Sequence, residues 1–266
     1  MAQPKEKIGA IADNLWTALE TAVPTTRLMA AHPELDVDDA YAIQLHNVAR
    51  QVAAGKVISG KKIGLTSKAM QDLFNVTTPD YGHLFSDMDA GTGPATGRIE
   101  RAKMIRPKVE AEIAFVLARD LDMPGEITAA DVLAATDYVV AALEIVDTRM
   151  GDWKIGLVDT VSDNASSGMY VIGNVKKKIS EIDLKAESMD FSVNGTKRNS
   201  GKGTDVLGDP ALCVAWLANK MRAYGTLLKK GEVILSGALS AAIDASANDS
   251  FRADYSTLGS VEVTFY

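Results

Sequence analysis

Three glutamates stand in stretches that otherwise read as buried strand. Glu110 and Glu112 lie two apart in Val109-Glu110-Ala111-Glu112-Ile113-Ala114-Phe115-Val116-Leu117, so an extended chain presents both on one face. Glu144 is embedded in Val139-Val140-Ala141-Ala142-Leu143-Glu144-Ile145-Val146. An unpaired carboxylate in such surroundings costs several kcal/mol or stays protonated. A divalent cation would satisfy all three, and ligation by carboxylate oxygens alone belongs to Mg²⁺, Mn²⁺ or Ca²⁺. Zinc and copper favour the His and Cys that this stretch lacks. The competing readings are an exposed edge strand with a polar face for Glu110 and Glu112, and a buried ion pair with Arg149 or Arg106 for Glu144.

A lysine is the natural companion of such a centre. In Val57-Ile58-Ser59-Gly60-Lys61-Lys62-Ile63-Gly64, Lys62 shares a strand face with Gly60 and Gly64, which leaves space around its ammonium for a ligand. There it can neutralise an oxyanion or move a proton. A solvent-facing strand lysine is the alternative, and that reading fits Lys61 better still. Thr78-Pro79-Asp80-Tyr81-Gly82-His83 reads as a turn by composition. His83 reads as structural, and Asp163-Asn164-Ala165-Ser166-Ser167 either lines a pocket or caps a turn. The chain lacks Gly-x-Ser-x-Gly, His-Glu-x-x-His and Cys-x-x-Cys, which removes serine hydrolase, zincin and dithiol chemistry.

The elements that must hold these residues follow from periodicity. Ile8, Ile11, Leu15 and Leu19, then Ala40, Ile43, Val48 and Val52, predict helices over 5–22 and 37–54, with Pro24 and Pro33 between them. From Val57 onward, strands are predicted at 57–64, 109–118, 138–147, 169–173, 185–193, 196–199, 232–236, 250–255 and 259–265, and helices near 67–75, 128–136 and 209–224. The expected division is an N-terminal helical segment over 1–56 and a β-rich catalytic domain over 57–266 that carries the metal site. Asn194-Gly195 signals a type I′ hairpin, and Asp209-Pro210 with Gly225 brackets a helix. Gly201-Lys202-Gly203 lacks the third glycine of a dinucleotide loop.

A chain of 266 residues, 47% hydrophobic, can bury a full core, and its net charge of −7 argues against a nucleic-acid binder. The run 132–146 is interrupted by Asp137 and Glu144 and is too short for a membrane span. No signal-peptide core follows the N-terminus, and the single Cys213 sits in an apolar helical pattern, so a cytoplasmic location is expected.

Several stretches together carry a resemblance. Gly60-Lys61-Lys62-Ile63-Gly64-Leu65-Thr66-Ser67, Pro79-Asp80-Tyr81-Gly82, Arg106-Pro107-Lys108-Val109-Glu110-Ala111-Glu112, Ala142-Leu143-Glu144-Ile145-Val146-Asp147 and Val158-Asp159-Thr160-Val161-Ser162-Asp163-Asn164 match in order and spacing. The chain resembles the 2-hydroxypenta-2,4-dienoate (2-oxopent-4-enoate) hydratases of aromatic meta-cleavage catabolism, within the fumarylacetoacetase C-terminal-domain superfamily. The resemblance implies an α+β fold whose mixed, rolled β-sheet surrounds a Mg²⁺ or Mn²⁺ site. It assigns metal binding to Glu110, Glu112 and Glu144, and proton transfer to Lys62 and Asp80. The sister 4-oxalocrotonate decarboxylases share the acids and the lysine but tend to carry an apolar residue where Asp80 stands here.

The implied reaction adds water to a small 2-hydroxydienoate to give 4-hydroxy-2-oxopentanoate, with polarisation of the 2-oxo group by metal and Lys62. Leu65, Gly237 and Ala238 are the expected substrate contacts. The alternatives are decarboxylation of a 2-oxo-diacid, hydrolysis of an acylpyruvate, and a non-catalytic scaffold in a hydratase/decarboxylase complex. The resemblance also implies a homo-oligomer, with neither nucleic acid nor membrane as a partner.

Overall fold

The computed structural model describes residues 3–66 and 78–266. The helix expected at 67–75 lies outside the described residues. The chain opens with α1 (Lys5–Thr21), α2 (Leu28–Ala31) and α3 (Val37–Ala53), then runs through β1 (Ile58–Gly64), β2 (Asp80–Phe85), β3 (Gly91–Gly93), β4 (Thr96–Ile99) and β5 (Lys108–Leu117). Helix α4 (Ala129–Ala135) leads into β6 (Thr136–Val146), and α5 (Leu157–Ser162) into β7 (Ser167–Ile172). The hairpin β8 (Ser188–Val193) and β9 (Thr196–Lys202) precedes α6 (Pro210–Ala223). β10 (Val233–Ala238), β11 (Ile243–Asp244), β12 (Ser250–Tyr255) and β13 (Gly259–Phe265) complete the chain.

Two mixed sheets make an α+β architecture. One has the order β2-β1-β10-β5-β6-β7, with β11 paired to β5, and its only parallel pair among the described residues is β1 with β10. The other has the order β3-β4-β13-β12-β8-β9. A single apolar cluster joins Ile11 and Leu15 of α1, Ile113 and Phe115 of β5, Leu143 of β6, and Phe251 and Phe265 of the second sheet. The opposite face of the first sheet carries a smaller cluster of Leu84, Ala114, Val140, Ala142, Tyr170 and Leu235. Both faces of that sheet are therefore buried, and β5 lies in its interior. This rules out the edge-strand reading of Glu110 and Glu112.

Local signals acted where they were read. Asn194 and Gly195 have φ of 51° and 76°, the left-handed pair that a type I′ turn requires. The Asp209 side chain caps α6, accepting from the Ala211 N–H at 2.9 Å. The buried stripes of α1 and α3 are rotated from the predicted phase at two positions: Leu19 and Val52 are exposed, while Ala18 and Gln51 are buried. The larger correction is at Thr78–His83. Asp80–Phe85 is a fully buried strand, paired antiparallel with β1 from Ile58↔Phe85 to Gly64↔Asp80. No helix among the described residues is long and apolar enough to cross a membrane.

Candidate active site and metal centre

Register brings the acids together. Glu110 on β5 sits directly opposite Glu144 on β6, and Glu112 follows on the same face. One carboxylate oxygen from each of Glu110, Glu112 and Glu144 lies within 4.8 Å of the others. The neighbouring strand β10 breaks its register between Leu235 and Ala238. Within that irregularity Gly237, at φ 104°, turns its N–H onto Glu112 Oε2 at 2.8 Å. A side chain on Gly237 would meet Thr66 Oγ1 at 2.2 Å, so glycine is required both by backbone angle and by space.

Lys62 reaches this cluster from β1. Its Nζ is 3.4 Å from Glu144 Oε1 and donates to the Ala165 carbonyl at 3.2 Å. Residues 164–166 all have φ near +50°, a tight left-handed turn that aims the Ala165 carbonyl at the ammonium. The competing reading, an ion pair of Glu144 with Arg149 or Arg106, gives way to this one: Arg149 pairs through Nε with the Asp163 carboxylate and donates from Nη2 to the Asp163 carbonyl. Nor does either lysine of β1 face solvent. Lys61 points to the opposite, equally buried face, where Glu232 pairs with it.

Asp80 completes the inner end. It accepts from the Thr160 hydroxyl through Oδ2 at 3.0 Å, while Oδ1 has no hydrogen-bond partner among the described residues. Gly64 makes the room: a Cβ there would lie 2.3 Å from Asp80 Oδ1 and 3.2 Å from Lys62 Nζ. Gly60 serves differently, since the space a side chain would take is filled by the Val233 backbone.

Burial raises the pKa of Asp80 and of all three glutamates. Glu144 is pushed up to about 7, chiefly by burial and against the pull of Lys62. For Lys62, burial works to lower the pKa, but Glu144, Asp80, Glu110 and Glu112 together hold it above the ordinary value. The ammonium is thus fixed as a cation. Among the described residues, both oxygens of Glu144 and Oε1 of Glu112 are buried without hydrogen-bond partners. Together with the Glu110 carboxylate, these oxygens converge from three side chains as the donor set of a hard divalent cation, and the residues fit one.

A cavity of about 400 Å³ opens onto Lys62, Asp80 and Glu110. Leu65 and Ala238 line it, whereas Gly237 acts behind the wall through its N–H on Glu112. The walls continue through Thr160, Ala165, Ser166, Trp153 and Ile155. Sequence reasoning left Thr160 and Ile155 unassigned as site residues, because their stretch carries no local contradiction comparable to a glutamate in an apolar strand.

The pattern of the Fumarylacetoacetate (FAA) hydrolase C-terminal family matches residues 67–266. The chain belongs to this family. Within the family, it is 44% identical over 261 residues to a 2-hydroxyhexa-2,4-dienoate hydratase of Comamonas testosteroni, covering 98% of each chain. It is 43% identical over 254 residues to a 2-keto-4-pentenoate hydratase of Paraburkholderia xenovorans (strain LB400), covering 96% of this chain and 93% of the relative. Among solved structures, the 4-oxalocrotonate decarboxylase from Pseudomonas putida G7, complexed with magnesium and adipate, superposes with a TM-score of 0.94 at 33% identity. The match covers 100% of this chain and 99% of that one.

The family fold is buttressed from behind by Gln44 of α3. Its Nε2 donates to the Tyr81 and Val161 carbonyls at 2.9 and 2.8 Å, which leaves Oε1 to accept from His83 Nδ1 at 3.2 Å. His83 is structural, as its sequence context indicated. Burial, with Lys61 nearby, lowers its pKa from 6.5 to about 3. A base with a depressed folded pKa contributes stability that is complete above the unfolded pKa and is lost as pH falls between 6.5 and 3. Denaturant unfolding of wild type and His83→Gln at pH 7.5 and pH 5 checks this. Acidification is expected to cost the wild type about 2 kcal/mol more than the variant.

Proposed function

We propose that the chain is a divalent-metal-dependent hydro-lyase that hydrates 2-hydroxypenta-2,4-dienoate to 4-hydroxy-2-oxopentanoate in aromatic meta-cleavage catabolism. The observation that carries the reading is the convergence of three carboxylates beside a fixed ammonium, at the inner end of a small-molecule cavity. The hydratase names of the relatives support the reaction. Glu110, Glu112 and Glu144 would hold Mg²⁺ or Mn²⁺, and the bound cation supplies an electrophile for a 2-oxo acid.

The remaining roles fall to the chain itself. Lys62 places a permanent positive charge where the substrate's 2-oxygen becomes electron-rich. Asp80, anchored through one oxygen by Thr160, offers the other for proton transfer, and its raised pKa suits an acid. The dienol gains a proton at C5 and loses one from its hydroxyl, giving an α,β-unsaturated ketone. Water then adds its hydroxyl at C4 and a proton at C3. Val146, Ile155 and Leu239 form an apolar wall that houses the tail, and Leu65 and Ala238 complete the substrate contacts.

In this role residues 57–266 carry the chemistry and the helical segment 1–56 supports them, with Gln44 as the link. We also take the protein to be a cytoplasmic homo-oligomer. The second reading, 2-oxo-diacid decarboxylation, draws on the similarity to the P. putida decarboxylase. Supplying each substrate with Mg²⁺ separates the two. Loss of dienol absorbance without CO₂ release is the expected result, and stoichiometric CO₂ from the diacid with no hydration would replace the proposal.

A further inference from the structure

The outer end of the cavity differs in chemistry from the inner end. Among the described residues that line it, Lys62 and Lys108 are the cations, and Lys108 lies two residues before Glu110 on the same face of β5. Its Nζ is 2.9 Å from Asp244 Oδ1, its cross-strand neighbour on β11, and 5.6 Å from the centre of the Trp153 ring. Trp153 is itself held by its Nε1–H on the Arg106 carbonyl at 3.0 Å. Asp205 also lines the cavity and, among the described residues, forms no ion pair. Its Oδ2 accepts from the Lys202 N–H at 2.8 Å. The Lys108 ammonium is thus already matched by the Asp244 carboxylate, and the exposed Asp205 brings a further carboxylate to the lining of the same cavity.

We propose that Asp244 and Asp205 make this outer end a filter for monocarboxylates, Asp244 by occupying Lys108 and Asp205 by repelling a second anionic group. An apolar tail meets Trp153, Ile155 and Leu239 without penalty. A dicarboxylate must displace Asp244 from Lys108 and bring its charge beside Asp205. Discrimination by juxtaposed like charge is the repulsive half of specificity. The inference rests on the proposed hydratase reading for its substrate, and on the charges alone for its binding preference.

Asp244 is 81% exposed at its side chain, so its ion pair contributes little to folding and Asp244→Asn keeps the fold. The test compares pentanoate and adipate binding to the Mg²⁺-loaded protein by calorimetry, alongside kcat/KM for 2-hydroxypenta-2,4-dienoate. In Asp244→Asn, adipate is expected to tighten about fivefold to tenfold relative to pentanoate, with dienoate turnover within about twofold of wild type. Adding Asp205→Asn should widen the gain, and Lys108→Met in the Asp244→Asn background should erase it. An unchanged adipate-to-pentanoate ratio in Asp244→Asn overturns the filter, as does a gain that survives loss of Lys108. Failure of wild type to hydrate any dienoate would instead strike the functional reading, and the binding ratio would still decide the filter.

Discussion

Glu144→Gln is expected to remove metal-dependent turnover, a loss of roughly 10³-fold in kcat/KM, while the protein stays folded. Glutamine matches glutamate in volume and keeps one carbonyl oxygen, so the packing between β5 and β7 is preserved. What it removes is a charge from a cluster that needs all of its charge to hold a cation. Among the described residues both Glu144 oxygens are buried without a hydrogen-bond partner, so their desolvation is offset chiefly by the Lys62 charge at 3.4 Å and by an ion when one is bound. Without metal, deleting one of three crowded carboxylates relieves repulsion, and Lys62 retains Asp80, Glu110 and Glu112 as counter-charges. The melting temperature of the apo variant should therefore equal or exceed that of wild type. Added Mg²⁺ should raise the wild-type melting temperature through ligand linkage and leave the variant unmoved. Calorimetric Mg²⁺ titration, melts with and without metal, and steady-state kinetics read all three consequences. Full turnover with undiminished metal affinity would refute the assignment of Glu144.

The acids were legible in the sequence because each contradicts its own segment. A carboxylate inside Ala141–Val146 or Val109–Leu117 conflicts with burial over a few residues, and no tertiary information is needed to see it. Strand alternation then correctly put Glu110 with Glu112. It could not assign the lysines of β1, since alternation tells the two faces apart only when one of them meets water. Here both are covered, and Lys61 is matched by Glu232, 171 positions away.

Composition misled at Thr78–His83 for a related reason. Pro, Asp and Gly favour a turn locally, but ladder pairing with β1 and the Asn164 side chain override that preference. Asn164 Oδ1 accepts from the His83 N–H, and Asn164 Nδ2 donates to the His83 carbonyl, both at 2.8 Å. Gly82 is a site of close approach rather than a turn, as a Cβ there would lie 2.3 Å from the Asn164 carbonyl oxygen. The left-handed turn at 164–166 serves two strands at once. It locks β2 in place and presents the Ala165 carbonyl to Lys62, a coupling visible only in three dimensions.

Asp80→Asn is expected to lower kcat by about 10² to 10⁴-fold with Mg²⁺ affinity unchanged. Asparagine can still accept from Thr160 through its carbonyl oxygen and fits the space left by Gly64, so the geometry survives while the titratable proton is lost. The variant also separates the two steps that Asp80 could serve. If Asp80 delivers the C5 proton, Asp80→Asn stalls at the dienol, and incorporation of solvent deuterium at C5 stops together with hydration. If it activates water instead, ketonisation continues, C5 still acquires deuterium, and the unsaturated ketone accumulates ahead of a slow hydration step. Rapid-scan absorbance with deuterium analysis of the products distinguishes these courses. The raised pKa of Asp80, set by burial against the opposing pull of Lys62 and Thr160, favours the first, because an acid that holds its proton above the ordinary carboxylate range is poised to give it up to carbon. A variant that hydrates at the wild-type rate would remove Asp80 from proton transfer altogether.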